Sequence, residues 1–145
     1  PRTSGGSSPT LGQRDQTFIP HVLPVQTGTT VRITNQDGIY HNVFSLSPPQ
    51  KFDIGRRPTG EEVPLTFDEP GIVRVFCDIH ATMSAYIVVL DTPWFTTADE
   101  AGTFRLADVP PGRYRLRAWH PGGTSEPAAV RVDEGQTRSV EIVVR

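Results

Sequence analysis

Glycine and proline are distributed along this chain in a way that leaves room only for short structural elements. Of its 145 residues, 13 are glycine and 14 are proline, and they separate short runs of β-branched and aromatic residues instead of gathering in one tract. Apolar and polar residues alternate at 30–34 and again at 63–67, which is the period of a half-buried strand. No window shows a helical period. The pattern predicts an all-β fold in which tight turns join short strands.

Charge and hydrophobicity exclude several classes of function. The formal net charge is −2 and no basic stripe stands out, so we expect no nucleic-acid partner. No apolar run approaches the roughly 20 residues that a membrane-spanning helix needs, so we expect no membrane span. Cys77 is the single cysteine, which excludes an intramolecular disulfide.

The chain divides into three predicted segments. Residues 1–15 begin with a Ser/Gly/Pro-rich stretch and are predicted to be a flexible linker. We interpret it as a linker left after removal of a signal or anchor segment, which implies a periplasmic or otherwise exported protein with a possible N-terminal tether, although an excised domain would look the same. Residues 16–91 form the predicted main domain, with a long loop over 47–62. Residues 92–145, with predicted strands at 102–106, 128–132 and 140–144, are too few to bury a core alone, so we expect them to pack on the main domain.

A thiolate, an imidazole and a thioether lie within seven residues, directly after a predicted strand, at Cys77, His80 and Met83. Soft sulfur together with imidazole selects copper or zinc over hard cations, and one cysteine is too few for the usual structural zinc sites. A His₂Cys site with a distant Met is typical of one-electron copper centres. Such a site needs a second histidine, and His41, which is 36 residues before Cys77 on another predicted strand, is the best candidate.

Several segments together resemble the cupredoxins of the plastocyanin and amicyanin kind over residues 16–91. The ligand-loop spacing Cys-x₂-His-x₂-Met is similar to that of amicyanin. The segments that carry the resemblance are 18–20, 31–37, 41–43 and 76–83.

This resemblance implies a Greek-key β-sandwich that holds one Cu(I)/Cu(II) ion in a type 1 (blue) site. His41, Cys77 and His80 would be the strong ligands and Met83 the weak axial one, and the exposed edge of His80 would be the route for electrons. Asn42 would tie the ligand loops together and donate toward the Cys77 sulfur. The family shuttles single electrons between redox partner proteins.

Residues 99–106 and 109–114 resemble the carboxypeptidase-regulatory type of β-sandwich module, which is usually non-catalytic. A small C-terminal β appendage is therefore expected. His21 and His120 are interpreted as structural or surface histidines, although His120 would lie near the copper if the tail folds back over it. The strand arginines Arg113, Arg115 and Arg117 are interpreted as a solvated face, with docking to an acidic partner as a minor alternative.

Electron transport without catalysis is the leading interpretation, and three alternatives stay open. A copper carrier or sensor would favour clusters of methionine and histidine, whereas this chain has one methionine. A non-catalytic docking module of a larger redox complex would need the fold but not the metal. A mononuclear enzyme would need an open or weakly held coordination position, which replacing Met83 would expose.

Overall fold

The structure is a computed structural model that describes residues 9–37, 41–77 and 83–144, with the side chains of His41, Arg56 and Arg57 outside the description. The described residues contain strands and no helix, which confirms the all-β prediction. Two compact units divide after Phe104. The strands are β1 (Thr10–Arg14), β2 (Thr17–Ile19), β3 (Val22–Gln26), β4 (Thr29–Asn35), β5 (His41–Ser45), β6 (Phe52–Arg57), β7 (Glu62–Phe67), β8 (Gly71–Phe76), β9 (Ser84–Leu90), β10 (Gly112–Leu116), β11 (Trp119–His120), β12 (Gly123–Thr124) and β13 (Ala128–Val132).

The described residues include no helix long and apolar enough to span a membrane.

The first unit is a β-sandwich of two sheets that share one hydrophobic core. One sheet has the strand order β2-β1-β4-β7 and the other β3-β9-β8-β5-β6. The pairs β1–β4 and β3–β9 are parallel, and the other pairs are antiparallel. Alternation within each strand supplies the core: in β8, Val73 and Val75 are fully buried whereas Ile72 and Arg74 are exposed. Non-consecutive neighbours in both sheets are consistent with a Greek-key topology.

The prediction of a flexible linker over 1–15 is wrong for its last third. Residues 10–14 form β1, which pairs with β2 on one side and with β4 on the other. Leu11 has no solvent exposure and belongs to the core. A five-residue strand has too short a pattern to stand out beside a Ser/Gly/Pro-rich stretch, and its pairing with β4 is a long-range event. Residues 1–8 lie outside the described residues.

The predicted loop over 47–62 also contains a strand. β6 adds to the edge of the five-stranded sheet by pairing with β5. Ile54 is buried in the core and Phe52 packs against it. The sequence reason is the alternation of Phe52 and Ile54 with polar neighbours, which the surrounding prolines and glycines obscure.

The second unit contains two small antiparallel sheets, β10–β13 and β11–β12. The prediction of strand 128–132 is confirmed, whereas the strands expected at 102–106 and 140–144 are not formed within the described residues. Exposure nevertheless alternates along both segments. Alternation therefore reports which side chains face inward, but it does not establish that a neighbouring strand lies within hydrogen-bonding reach. The packing of residues 92–145 on the first domain stays a prediction.

Candidate metal centre

The two sulfur-bearing residues flank a single connection between neighbouring strands. Cys77 directly follows β8, and Met83 directly precedes β9. The two strands are antiparallel and their last paired residues are Phe76 and Ser84, so Cys77 and Met83 stand one position beyond that pair on either side. Both are buried, with 3% and 2% exposure, and both belong to the hydrophobic core.

The start of β5 lies at the same end of this sheet. β5 runs antiparallel to β8, with Phe44 opposite Phe76, so the residues that precede Phe44 lie beside the end of β8. His41 is the first residue of β5. The backbone positions of His41, Cys77 and Met83 are thus brought to one end of three adjacent strands.

The rest of the predicted ligand set is not described. His80 lies outside the described residues, as does the side chain of His41. Among residues 9–37, 41–77 and 83–144, no three histidine, cysteine, aspartate or glutamate side chains converge as a metal-binding group. The four-ligand site therefore remains a prediction.

Asn42 is held by a partner that the sequence interpretation did not identify. Its side chain is 5% exposed, and its Nδ2 atom donates to Oδ1 of Asp53 on β6 at 3.2 Å. The same Asp53 oxygen accepts the backbone N–H of Gly55 at 2.8 Å. Asp53 falls within the predicted loop, and the alternation of Phe52, Asp53 and Ile54 was the available signal. The predicted donation from Asn42 toward the Cys77 sulfur stays a prediction.

A β-bulge lies at the same point. The register between β5 and β6 shifts between Asn42 and Phe44, and the intervening Val43 is fully buried. A bulge redirects side chains and increases the local twist. The sequence after His41 is therefore arranged by an irregularity that β5 and β6 produce together.

The end of β4 and the residues up to 37 are anchored by hydrogen bonds. Asn35 Oδ1 accepts the backbone N–H of Asp37 at 2.9 Å, and Asp37 Oδ2 accepts the backbone N–H of Gln16 at 2.9 Å. The hydroxyl of Thr59 donates to the Asp37 carbonyl, and Gly60 N–H donates to the Asn35 carbonyl at 2.9 Å. These bonds fix the chain where it leaves β4.

The outer face of the five-stranded sheet carries a row of ring contacts beside Cys77. The rings of Phe44 and Phe76 have centroids 5.8 Å apart. The Arg74 guanidinium lies 5.0 Å from the centroid of Phe76 and 5.6 Å from that of Tyr86. His21 meets Tyr86 edge-on at 5.5 Å. This row stacks across β5, β8 and β9 and stabilises the strand ends that carry the sulfur residues.

The remaining two histidines, His21 and His120, each make a hydrogen bond through Nδ1. His21 Nδ1 donates to the Ser84 carbonyl at 3.1 Å, which agrees with the interpretation of a structural histidine. His120 Nδ1 accepts the N–H of Gly122 at 3.1 Å. Its Nε2 atom has no hydrogen-bond partner among the described residues.

Comparisons with known proteins identify similarities for each part of the chain. Residues 80–145 match the sequence profile of the carboxypeptidase regulatory-like domain. No curated protein matches the chain. A Cu-containing nitrite reductase from Thermus scotoductus SA-01 superposes with a TM-score of 0.56 at 25% identity, covering 63% of this chain and 26% of that one.

Two smaller solved structures match more of their own length. A reduced Cu(I) form of an amicyanin variant gives a TM-score of 0.55 at 22% identity, covering 61% of this chain and 86% of that one. A purple cupredoxin from Nitrosopumilus maritimus gives 0.52 at 23% identity, covering 57% of this chain and 100% of that one. This chain spans about a quarter of the nitrite reductase chain but most or all of the two smaller proteins. The similarity establishes a cupredoxin-like β-sandwich fold.

Proposed function

We propose that the first unit binds one copper ion through His41, Cys77, His80 and Met83 and carries single electrons between redox partner proteins. The observation that carries this proposal is the burial of Cys77 and Met83 on either side of one strand connection. Two soft sulfur donors at the ends of a seven-residue sequence segment that also contains a histidine suit copper. We further propose that the protein is exported.

The described residues would surround the copper ion with a rigid environment that excludes water. Cys77 and Met83 belong to the same buried cluster as Val43, Val73 and Val75, so the sulfur atoms are shielded from water. When bound, copper would supply the Cu(I)/Cu(II) couple. Ligands anchored at the ends of paired strands change position little, which suits a carrier that must exchange an electron without rearranging.

We propose that the chain is not an enzyme. The four predicted ligands complete the set that a one-electron copper centre uses and leave no open coordination position for a substrate. The match to a nitrite reductase covers about a quarter of that chain, so we do not assign the activity of that enzyme to this protein.

A docking module is the second candidate, and the match of residues 80–145 to the carboxypeptidase regulatory-like domain favours it. In that case the chain would form a stable complex that does not depend on copper.

The proposal is tested by titrating metal-free protein with Cu(II) and recording visible absorption. We expect an intense thiolate-to-copper band that saturates at one copper per chain, bleaches with ascorbate and is absent from Cys77→Ser. His21→Ala removes a histidine outside the predicted ligand set. It loses the contacts to Ser84 and Tyr86, so it should lower stability but keep a band that saturates at one copper. An unchanged spectrum in Cys77→Ser would contradict the ligand assignment.

A second measurement separates the electron carrier from a copper carrier. An electron carrier should give a reversible one-electron wave in voltammetry and should retain Cu(I) when it is challenged with a Cu(I) chelator. Rapid loss of Cu(I) to the chelator would favour delivery of the ion over electron transfer.

A further inference from the structure

Two arginines face each other across the strands of the second unit. β10 and β13 are antiparallel, and their register places Arg113 directly opposite Arg131. Arg115, opposite Ala129, lies two residues further along β10 on the same face. We call Arg113, Arg115 and Arg131 the arginine face.

Strand alternation explains why these side chains are in solvent. In both strands the exposure pattern alternates, and all three arginines are exposed. The intervening residues, which include Tyr114 and Val130 as a cross-strand pair, are half-buried on the opposite face. The arginine face is therefore the outer side of a sheet whose inner side is apolar.

This arrangement is electrostatically unfavourable in the isolated chain. Like charges directly opposite each other on a sheet repel. Arg131 is partly compensated, because its Nε atom lies 3.0 Å from Oδ1 of Asp133 in a solvent-exposed ion pair. In the part of the chain that the structure describes, the side chains of Arg113 and Arg115 form no ion pair or hydrogen bond. An external anion would remove this repulsion.

The net positive charge of the sequence is concentrated in the part of the chain that contains the arginine face. Residues 105–145 hold seven arginines and five carboxylates, a net charge of +2, whereas residues 1–104 hold seven basic and eleven acidic side chains, a net charge of −4. A positively charged region in an overall acidic chain is a feature that steers association with an anionic partner.

We infer that the arginine face binds an acidic surface of a partner protein. All of its cations are arginines, whose planar guanidinium forms paired hydrogen bonds with carboxylates. Successive outward positions on a strand are about 6.6 Å apart, which matches the carboxylates of alternating acidic residues on a partner strand. Electrostatic complementarity of this kind mainly sets specificity and association rate.

Other polyanions fit the face less well. Binding to single-stranded nucleic acid relies on aromatic side chains that stack on bases, and the aromatic residue of β10, Tyr114, lies on the opposite face. Binding to a membrane surface uses an apolar face together with basic residues. The apolar residue between the arginines on this face is Ala129, opposite Arg115, and it is too small to provide such a face.

The test measures binding of the full chain to poly-L-glutamate, in the absence of copper, by fluorescence anisotropy over a range of salt concentrations. Because no metal is involved, failure of this inference leaves the copper proposal unaffected. We expect salt-dependent binding, and we expect Arg113→Gln/Arg131→Gln to weaken it by about tenfold or more. The matched control is Arg105→Gln/Arg138→Gln, which removes the same charge from exposed positions outside both strands, and it should retain most of the affinity.

A third variant tests whether binding requires the guanidinium group or only its charge, with a substitution conservative enough to keep the fold. Arg113→Lys/Arg131→Lys keeps the charge and the strand pairing, and it should bind more weakly than the parent but more tightly than the glutamine variant. Far-UV circular dichroism checks that all variants keep the fold.

Four results would overturn the inference. Equal losses in the two glutamine variants would show that binding follows net charge alone. Tighter binding to duplex DNA or to phosphatidylserine vesicles than to poly-L-glutamate would assign the face to another class of partner. Self-association that is lost in Arg113→Gln/Arg131→Gln would identify a second copy of the chain as the occupant. Absence of any binding to poly-L-glutamate at low salt would remove the acidic partner altogether.

Discussion

The hydrogen bond between Asn42 and Asp53 joins β5 to β6 beside the proposed metal site, and its energy can be measured by a double-mutant cycle. Asn42 is 5% exposed, so water replaces a lost partner poorly, and the acceptor is a side-chain carboxyl oxygen of Asp53. Hydrogen bonds to charged groups contribute about 1.5–3 kcal/mol. The exposure of Asp53 and the 3.2 Å separation reduce this value, and we expect a coupling free energy of about 1 kcal/mol.

The assay is urea unfolding of the parent, Asn42→Ala, Asp53→Ala and the double variant, with a common m-value. Asp53→Ala should lower the free energy of unfolding by about 2 kcal/mol, because it also removes the acceptor of Gly55 N–H. The double variant should be less destabilised than the sum of the single variants. Asp68→Ala is the control, because Asp68 is an exposed turn carboxylate of the same unit, and its effect should stay within about 0.5 kcal/mol. Additive single effects, with a coupling below about 0.3 kcal/mol, would refute the reasoning.

The same cycle has a spectroscopic readout if the copper proposal is correct. Residues that orient metal ligands typically change metal affinity about 10–100-fold when they are mutated. Asp53→Ala loosens the strand end that begins with His41, so it should weaken copper binding or shift the charge-transfer band while Asp68→Ala leaves both unchanged. A folded Asp53→Ala protein with the parent spectrum and affinity would show that β6 does not organise the site.

Two further substitutions test the fold of the first unit by urea unfolding. Leu11→Ala should lower the free energy of unfolding by about 3 kcal/mol, since Leu11 is fully buried in β1. A decrease below about 0.5 kcal/mol would instead support the original prediction that residues 10–14 belong to a linker. Gly71→Ala should cost more than about 1 kcal/mol, because Gly71 has a φ of 142° and an added Cβ would lie 2.6 Å from Pro49 Cγ. Gly28→Ala, with a φ of 85° and open space around it, isolates the backbone contribution, and equal costs at the two glycines would contradict the steric argument.

Local pattern was sufficient to identify several of the strands. The apolar alternation of β4, β7 and β8 can be read from a few residues, and β8 pairs with the next strand, β9, so the spacing of Cys77 and Met83 already implied that both flank one connection. The association of His41 with this loop required more, namely the return of the chain through β6 and β7 to place β8 beside β5. The chemistry of the residues, the separation of 36 residues from Cys77 and the resemblance to cupredoxins indicated His41 in advance.

Long-range register decided what could not be predicted. β1 became a strand through its parallel pairing with β4, which no property of residues 10–14 specifies. Asn42 and Asp53 are not direct register partners, because Asn42 is opposite Arg56 and Asp53 is opposite Phe44. Their hydrogen bond crosses the register shift that an extra residue in β6 produces. In the second unit, alternation showed that Arg113 and Arg115 share a face, but only the register of β13 places Arg131 against Arg113. That register changes the interpretation of the strand. Arginines on one strand are compatible with a merely solvated face, whereas a cross-strand arginine pair is repulsive. Asp133 offsets this repulsion in part, and an anion over the face would offset the rest.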